Sequence, residues 1–132
     1  MKADLNMKKS VTLTVLLAMV TVVMAAAGFA AASFKWSETV HDFGKIPQGK
    51  PVTVKFAFTN GGDEPLIVKN ATGSCGCTNV AYPKEPIQPG QSGEVQATFN
   101  AEAEGPFTKT VSVESNAAEG LTILTFKGEV IK

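Results

Sequence analysis

Arginine is absent from this chain, and histidine, tryptophan and tyrosine occur once each. Beyond the N-terminal region, nine lysines stand against eleven acidic residues, so charge is nearly balanced and no basic patch forms. That composition argues against nucleic acid as a partner. The lone histidine, His41, has no G-x-S-x-G companion, so a hydrolase triad has no support in the sequence. Methionine does not occur after Met24, and the only two cysteines are Cys75 and Cys77. A soft-metal site would therefore have to be built from those thiolates, with His41 and a carboxylate as the sole further candidates. No cysteine lies near the alanine-rich stretch that ends at Ala32, which removes the thiol a lipoprotein anchor would need there. The chain also lacks internal repeats, low-complexity linkers, long charge runs and, after residue 32, any ten-residue stretch with helical periodicity.

What the chain does have begins with an uncharged run over residues 11–32. Lys2, Lys8 and Lys9 form a positive n-region, residues 11–24 an apolar h-region, and the alanines offer A-x-A cleavage sites ending at Ala27 or Ala32. We place the cut at Ala32, which divides the chain into a signal segment, 1–32, and a single domain, 33–132. The competing reading retains the segment as an inner-membrane anchor with its lysines on the cytoplasmic side. In both readings the domain is extracytoplasmic, either periplasmic or secreted, and touches a membrane only through an uncleaved N-terminus.

The domain shows period-two alternation. In PVTVKFAFTN, Val52, Val54, Phe56 and Phe58 share one face, and Thr53, Lys55, Ala57 and Thr59 the other. NGGDEP then supplies turn residues before PLIVKNA, so these two segments read as antiparallel neighbours. Pro89 and Gly90 suit the central positions of a type II turn. Val95, Ala97 and Phe99 follow as an inward face. Further alternation runs through Phe107, Lys109, Val111 and Val113, then through Leu124, Phe126, Gly128 and Val130, with a turn over residues 116–120. An opening strand around Trp36 and His41 to Ile46, with Gly44 permitting a bulge, brings the count to about seven. The pattern predicts an all-β fold, an immunoglobulin-like antiparallel sandwich preceded by a hydrophobic signal helix.

The segment from HDFGKIP through SCGCT and QPGQ to VSVESN resembles DUF1573, a bacterial exported domain of unknown function. The resemblance covers nearly all of residues 36–131. That family is similar in turn to the immunoglobulin-like domains of the MSP, ASH and Hydin group. The resemblance implies a seven-stranded sandwich and a role in binding or scaffolding; it implies no cofactor. Many relatives carry a lipoprotein cysteine after the signal, and this chain does not.

The segment GSCGCT holds both cysteines. Export favours a disulfide. Positions i and i+2 of an extended strand lie about 6.6 Å apart, at the far edge of what a disulfide accepts, so Gly76 would have to take a tight or left-handed conformation. Such a ring closes almost no chain, making Cys75–Cys77 a poor staple and a plausible switch. The alternatives are two reduced, buried cysteines, a copper(I) or zinc site, and a thioredoxin-like catalyst, which would want C-x-x-C at a helix N-terminus. His41 and Asp42 are adjacent on a strand and point to opposite faces, which argues against an acid–base pair. Asp42-Phe43-Gly44 matches the kinase triplet in letters only. Trp36 is read as a core plug, with a surface anchor as the alternative. The sequence thus points to a non-enzymatic binding or scaffolding module whose partner is an unidentified envelope protein or surface component. The alternative is a thiol-based envelope protein that uses Cys75 and Cys77 for redox switching or copper binding.

Overall fold

The computed structural model describes residues 30–132; all but the last three residues of the expected signal segment lie outside them. Eight strands form among the described residues: β1 (Phe34–Trp36), β2 (Val40–Pro47), β3 (Val52–Asn60), β4 (Val68–Gly73), β5 (Thr78–Ala81), β6 (Ser92–Phe99), β7 (Gly105–Ser115) and β8 (Leu121–Ile131). They make two four-stranded sheets, ordered β1-β3-β6-β5 and β2-β8-β7-β4. The first is wholly antiparallel. The second is mixed, because β2 runs parallel to β8.

Alternation explains the packing. Phe56, Phe58 and Val95 from one sheet meet Val111, Leu124 and Phe126 from the other, all at most 2% exposed. Burying such a side chain contributes roughly 1.5–3 kcal/mol relative to leaving it in water. The opposite face of β3 and β6 is polar, with hydroxyl pairs Thr53–Thr98 at 2.9 Å and Thr59–Ser92 at 3.0 Å across the strands. Trp36 is partly buried against the core, stacked on Phe34 with centroids 4.6 Å apart and edge-on to Phe58 at 5.1 Å.

The count is eight because the opening segment serves both sheets. The Ser37 N–H donates to the Ala57 carbonyl at 3.0 Å in one sheet, and the Thr39 carbonyl accepts from the Thr125 N–H at 2.8 Å in the other. Six segments are named in the sequence pattern; dividing the opening one and adding short β5 makes eight.

The expected hairpin between β3 and β4 does not form: β3 pairs with β1 and β6, and β4 pairs with β7. Two asparagines redirect the chain. Asn60, 1% exposed, accepts the Gly62 N–H at 2.9 Å and the Ser33 N–H at 3.4 Å, and donates to the carbonyls of Glu64 at 2.7 Å and Ile87 at 2.9 Å. Asn116 donates to the Pro65 carbonyl at 2.9 Å and accepts the Ile67 N–H at 2.8 Å, drawing the start of β4 toward the end of β7.

The folded unit begins at Ala31. Ala32 is 1% exposed and part of the core, and a Cβ at Gly62 would collide with the Ala31 carbonyl. Glycine at position 62 is therefore fitted to chain that precedes Ser33.

Candidate functional site

Cys75 and Cys77 lie in the connection between β4 and β5, each an edge strand of its sheet. The chain crosses between the sheets here and has no ladder to follow, so it turns: the Thr78 N–H reaches the Cys75 carbonyl at 3.3 Å. That turn brings the two Cα atoms to 5.3 Å and the sulfurs to disulfide bonding distance. Of the two conformations expected of Gly76, tight or left-handed, the segment takes the tight turn. The φ of Gly76 lies outside the left-handed region, and a Cβ there would meet nothing within 4 Å. The tight turn through Gly76 supplies the approach, without a left-handed residue.

The corner is anchored on both sides. The Ser74 N–H donates to the Thr110 carbonyl at 2.9 Å, and the Asn100 N–H to the Cys77 carbonyl at 3.1 Å. Both cysteines are partly buried, and their sulfurs neighbour one hydroxyl, Thr78 Oγ1, at 3.7 Å from Cys75 Sγ and 4.0 Å from Cys77 Sγ. Cys77 packs against the core and lines a cleft of about 330 Å³. Phe99 and Phe107, stacked with centroids 4.4 Å apart, also line it, together with Glu102, Glu104 and Lys109. Cys75 is not among its lining residues.

One wall of the cleft is the loop between β6 and β7. It contains Ala101, the single non-glycine residue with positive φ among those described, at 55° and fully buried. Left-handed backbone costs an alanine about 1–2 kcal/mol, and surrounding bonds hold it there. The Gly49 N–H donates to the Ala101 carbonyl at 2.9 Å, and Gln48 Nε2 to the Glu102 carbonyl at 2.9 Å.

The other residues singled out in the sequence stand apart from this cleft. Gly44 has φ of 68° at the point where the β2–β8 register shifts between Asp42 and Lys45. It borders a more open groove of about 430 Å³ that also reaches Phe107. Pro89 and Gly90 occupy the centre of a turn closed by the Gln91 N–H on the Gln88 carbonyl at 3.0 Å, with Gly90 at φ 80°. His41 Nδ1 meets Glu38 Oε1 at 2.9 Å, and its ring packs edge-on to Phe43. Among the described residues, no three His, Cys, Asp or Glu side chains are grouped so as to hold a metal ion. Thr78, Lys109 and the Asn100–Cys77 bond were not anticipated. Thr78 alone had a local signal, as the hydroxyl directly after the second cysteine.

The model of the family described as Protein of unknown function (DUF1573) matches residues 34–130. No curated protein matches the sequence. Among solved structures, a protein of unknown function from Porphyromonas gingivalis W83 is 20% identical with a TM-score of 0.66, the match covering 74% of this chain and 46% of that one. The VesB protease of Vibrio cholerae is also 20% identical, with a TM-score of 0.58, over 76% of this chain and 32% of that one. The ASH/PapD-like domain 7 of human CEP192 is 10% identical with a TM-score of 0.64, over 77% of this chain and 87% of that domain. The chain spans less than half the length of the first two. At these identities the likeness is one of fold alone: an all-β pair of sheets similar to that of the ASH/PapD-like domain.

Proposed function

We propose that this chain, which belongs to the DUF1573 family of unknown function, works as an exported, non-enzymatic binding module of the bacterial cell envelope. It acts in the periplasm or outside the cell, either freed from its N-terminal segment or held at the inner membrane by it. The observation that carries the reading is the cleft beside Cys77. It lies within the size range of binding pockets, and it combines aromatic side chains with a few charged ones. A loop held at an unfavourable φ by bonds from a neighbouring turn suits a pre-formed recognition surface. The resemblance to ASH-type domains supports binding over catalysis by fold analogy alone.

The test is site-specific photo-crosslinking in the native envelope. A photoreactive residue at Ala103, on the cleft, is expected to join one discrete envelope component, whereas the same residue at Lys55, on the exposed polar face of β3, is not. The adduct should persist when Cys75→Ser and Cys77→Ser are combined. Equal labelling from both positions would contradict the reading.

A second reading has its own observation. Two partly exposed cysteines in a small ring, one of them lining a cleft, suit a thiol-based envelope protein. Under that reading, the double cysteine change abolishes the adduct while the fold survives. Copper(I) binding would require the bridge to be reduced first, because thiolates are the ligands.

A further inference from the structure

Resting on the thiol reading, we propose that the Cys75–Cys77 bridge is directional: a partner's thiolate enters the cleft and attacks Cys77, and Cys75 is the leaving and resolving sulfur. Thiol–disulfide exchange needs the nucleophile in line with the S–S bond, on the far side from the leaving sulfur. The cleft is lined by Cys77 and not by Cys75, so a group lying in it approaches the bridge from the Cys77 side. Cys77 is also the one packed against the core, and its carbonyl is held from beyond the turn by the Asn100 N–H at 3.1 Å, whereas that of Cys75 is held within the turn by the Thr78 N–H at 3.3 Å. The electrophilic sulfur thus sits on a rigid support.

The leaving group is provided for as well. Thr78 Oγ1 stands nearer to Cys75 Sγ, at 3.7 Å, than to Cys77 Sγ, at 4.0 Å. As the S–S bond breaks, charge develops on Cys75, and the hydroxyl can donate to it. A donor to a developing thiolate lowers its pKa and speeds its departure. Thr78 is therefore a positioning residue.

The step balances as follows. The partner thiolate forms a bond to Cys77 Sγ, the electron pair of the Cys75–Cys77 bond goes to Cys75, and the product is a mixed disulfide plus the Cys75 thiolate. A second partner thiolate then attacks the partner's own sulfur and releases Cys77 as thiolate. The partner dithiol is thereby oxidised by two electrons and the bridge reduced; both thiolates take protons from water. With a single partner thiol, Cys75 attacks back and restores the bridge. The partner class is a protein with an exposed cysteine beside an apolar side chain, which Phe99 and Phe107 would receive.

The test uses the oxidised protein and a blocked peptide carrying one reduced cysteine next to a leucine. Short reactions are quenched in acid, free thiols are alkylated with a maleimide, and fragment ions locate each label. The expected result is peptide on Cys77 and maleimide on Cys75, in excess of about tenfold over the reverse. Thr78→Val should slow the opening about fivefold or more, with the circular dichroism unchanged, and Thr78→Ser should restore the rate. Peptide on Cys75 would overturn the assigned direction while keeping the thiol reading. Absence of any adduct would overturn both, and an unchanged rate in Thr78→Val would remove the role given to its hydroxyl.

Discussion

The two ends of the β1-β3-β6-β5 sheet are held by opposite means. At one end Asn60, a buried amide, joins four backbone groups from three separate stretches of chain, with no covalent link. At the other end the Cys75 and Cys77 sulfurs stand at disulfide bonding distance, and a bond there spans two residues and ties nothing distant together. A hydrogen bond inside protein matters most through what its loss leaves unpaired, and a cross-link matters through the chain it closes. The amide should therefore support the fold more than the disulfide does. Under the thiol reading, the disulfide end is the one left to do chemistry.

Substitutions can break that comparison, and the largest effect belongs to neither device. Phe99→Ala removes the ring stacked on Phe107 below the Cys77 corner and should cost about 3–5 kcal/mol, read from the urea midpoint. Asn60→Ala comes next, at about 2–4 kcal/mol, because the Gly62 N–H and the Ile87 carbonyl lose their partner in a buried setting. Cys75→Ser with Cys77→Ser should cost only about 1–2 kcal/mol, the amount a ring this small can remove from the unfolded chain. If the double cysteine change proved costlier than Asn60→Ala, the comparison would be reversed.

Two smaller changes sharpen it. A chain starting at Ser33 loses buried Ala32 and should melt a few degrees below one starting at Gly28, about 1 kcal/mol. In the shorter chain Gly62→Ala should be better tolerated, because the Ala31 carbonyl that its Cβ would strike is gone. Equal penalties in both chains would show that the residues before Ser33 do not pack as described. Gly76→Ala should be the mildest change of all, within about 0.5 kcal/mol of the parent, since neither φ nor space demands glycine there.

Much of the fold was legible because alternation is a local signal. The inward series Val54, Phe56 and Phe58 continues to Asn60, and that same period-two pattern, carried one step further, would have placed a polar side chain in the core and marked it as important. Partners far apart in sequence were not legible. β4 goes to the second sheet because Asn116 grips Pro65 and Ile67 from about fifty residues away. The split of the opening strand turns on the backbone bonds of Ser37 to Ala57 and of Thr39 to Thr125, with no glycine or proline to announce it. β5, four residues long, is too short for a period to show. The proximity of Cys75 and Cys77 could be weighed from their spacing. The cleft beside them could not, because its walls come from residues 99–109 on another pair of strands.

The central claim is that the bridge is chemically addressable and structurally dispensable. The most direct measurement equilibrates the full chain across a series of dithiothreitol redox buffers and follows thiol state by intact mass and fold by near-ultraviolet circular dichroism in the same samples. The account predicts that the bridge opens while the signals of Trp36 and Tyr82 stay native. Loss of the tertiary signal in step with reduction would show that Cys75–Cys77 is a staple after all.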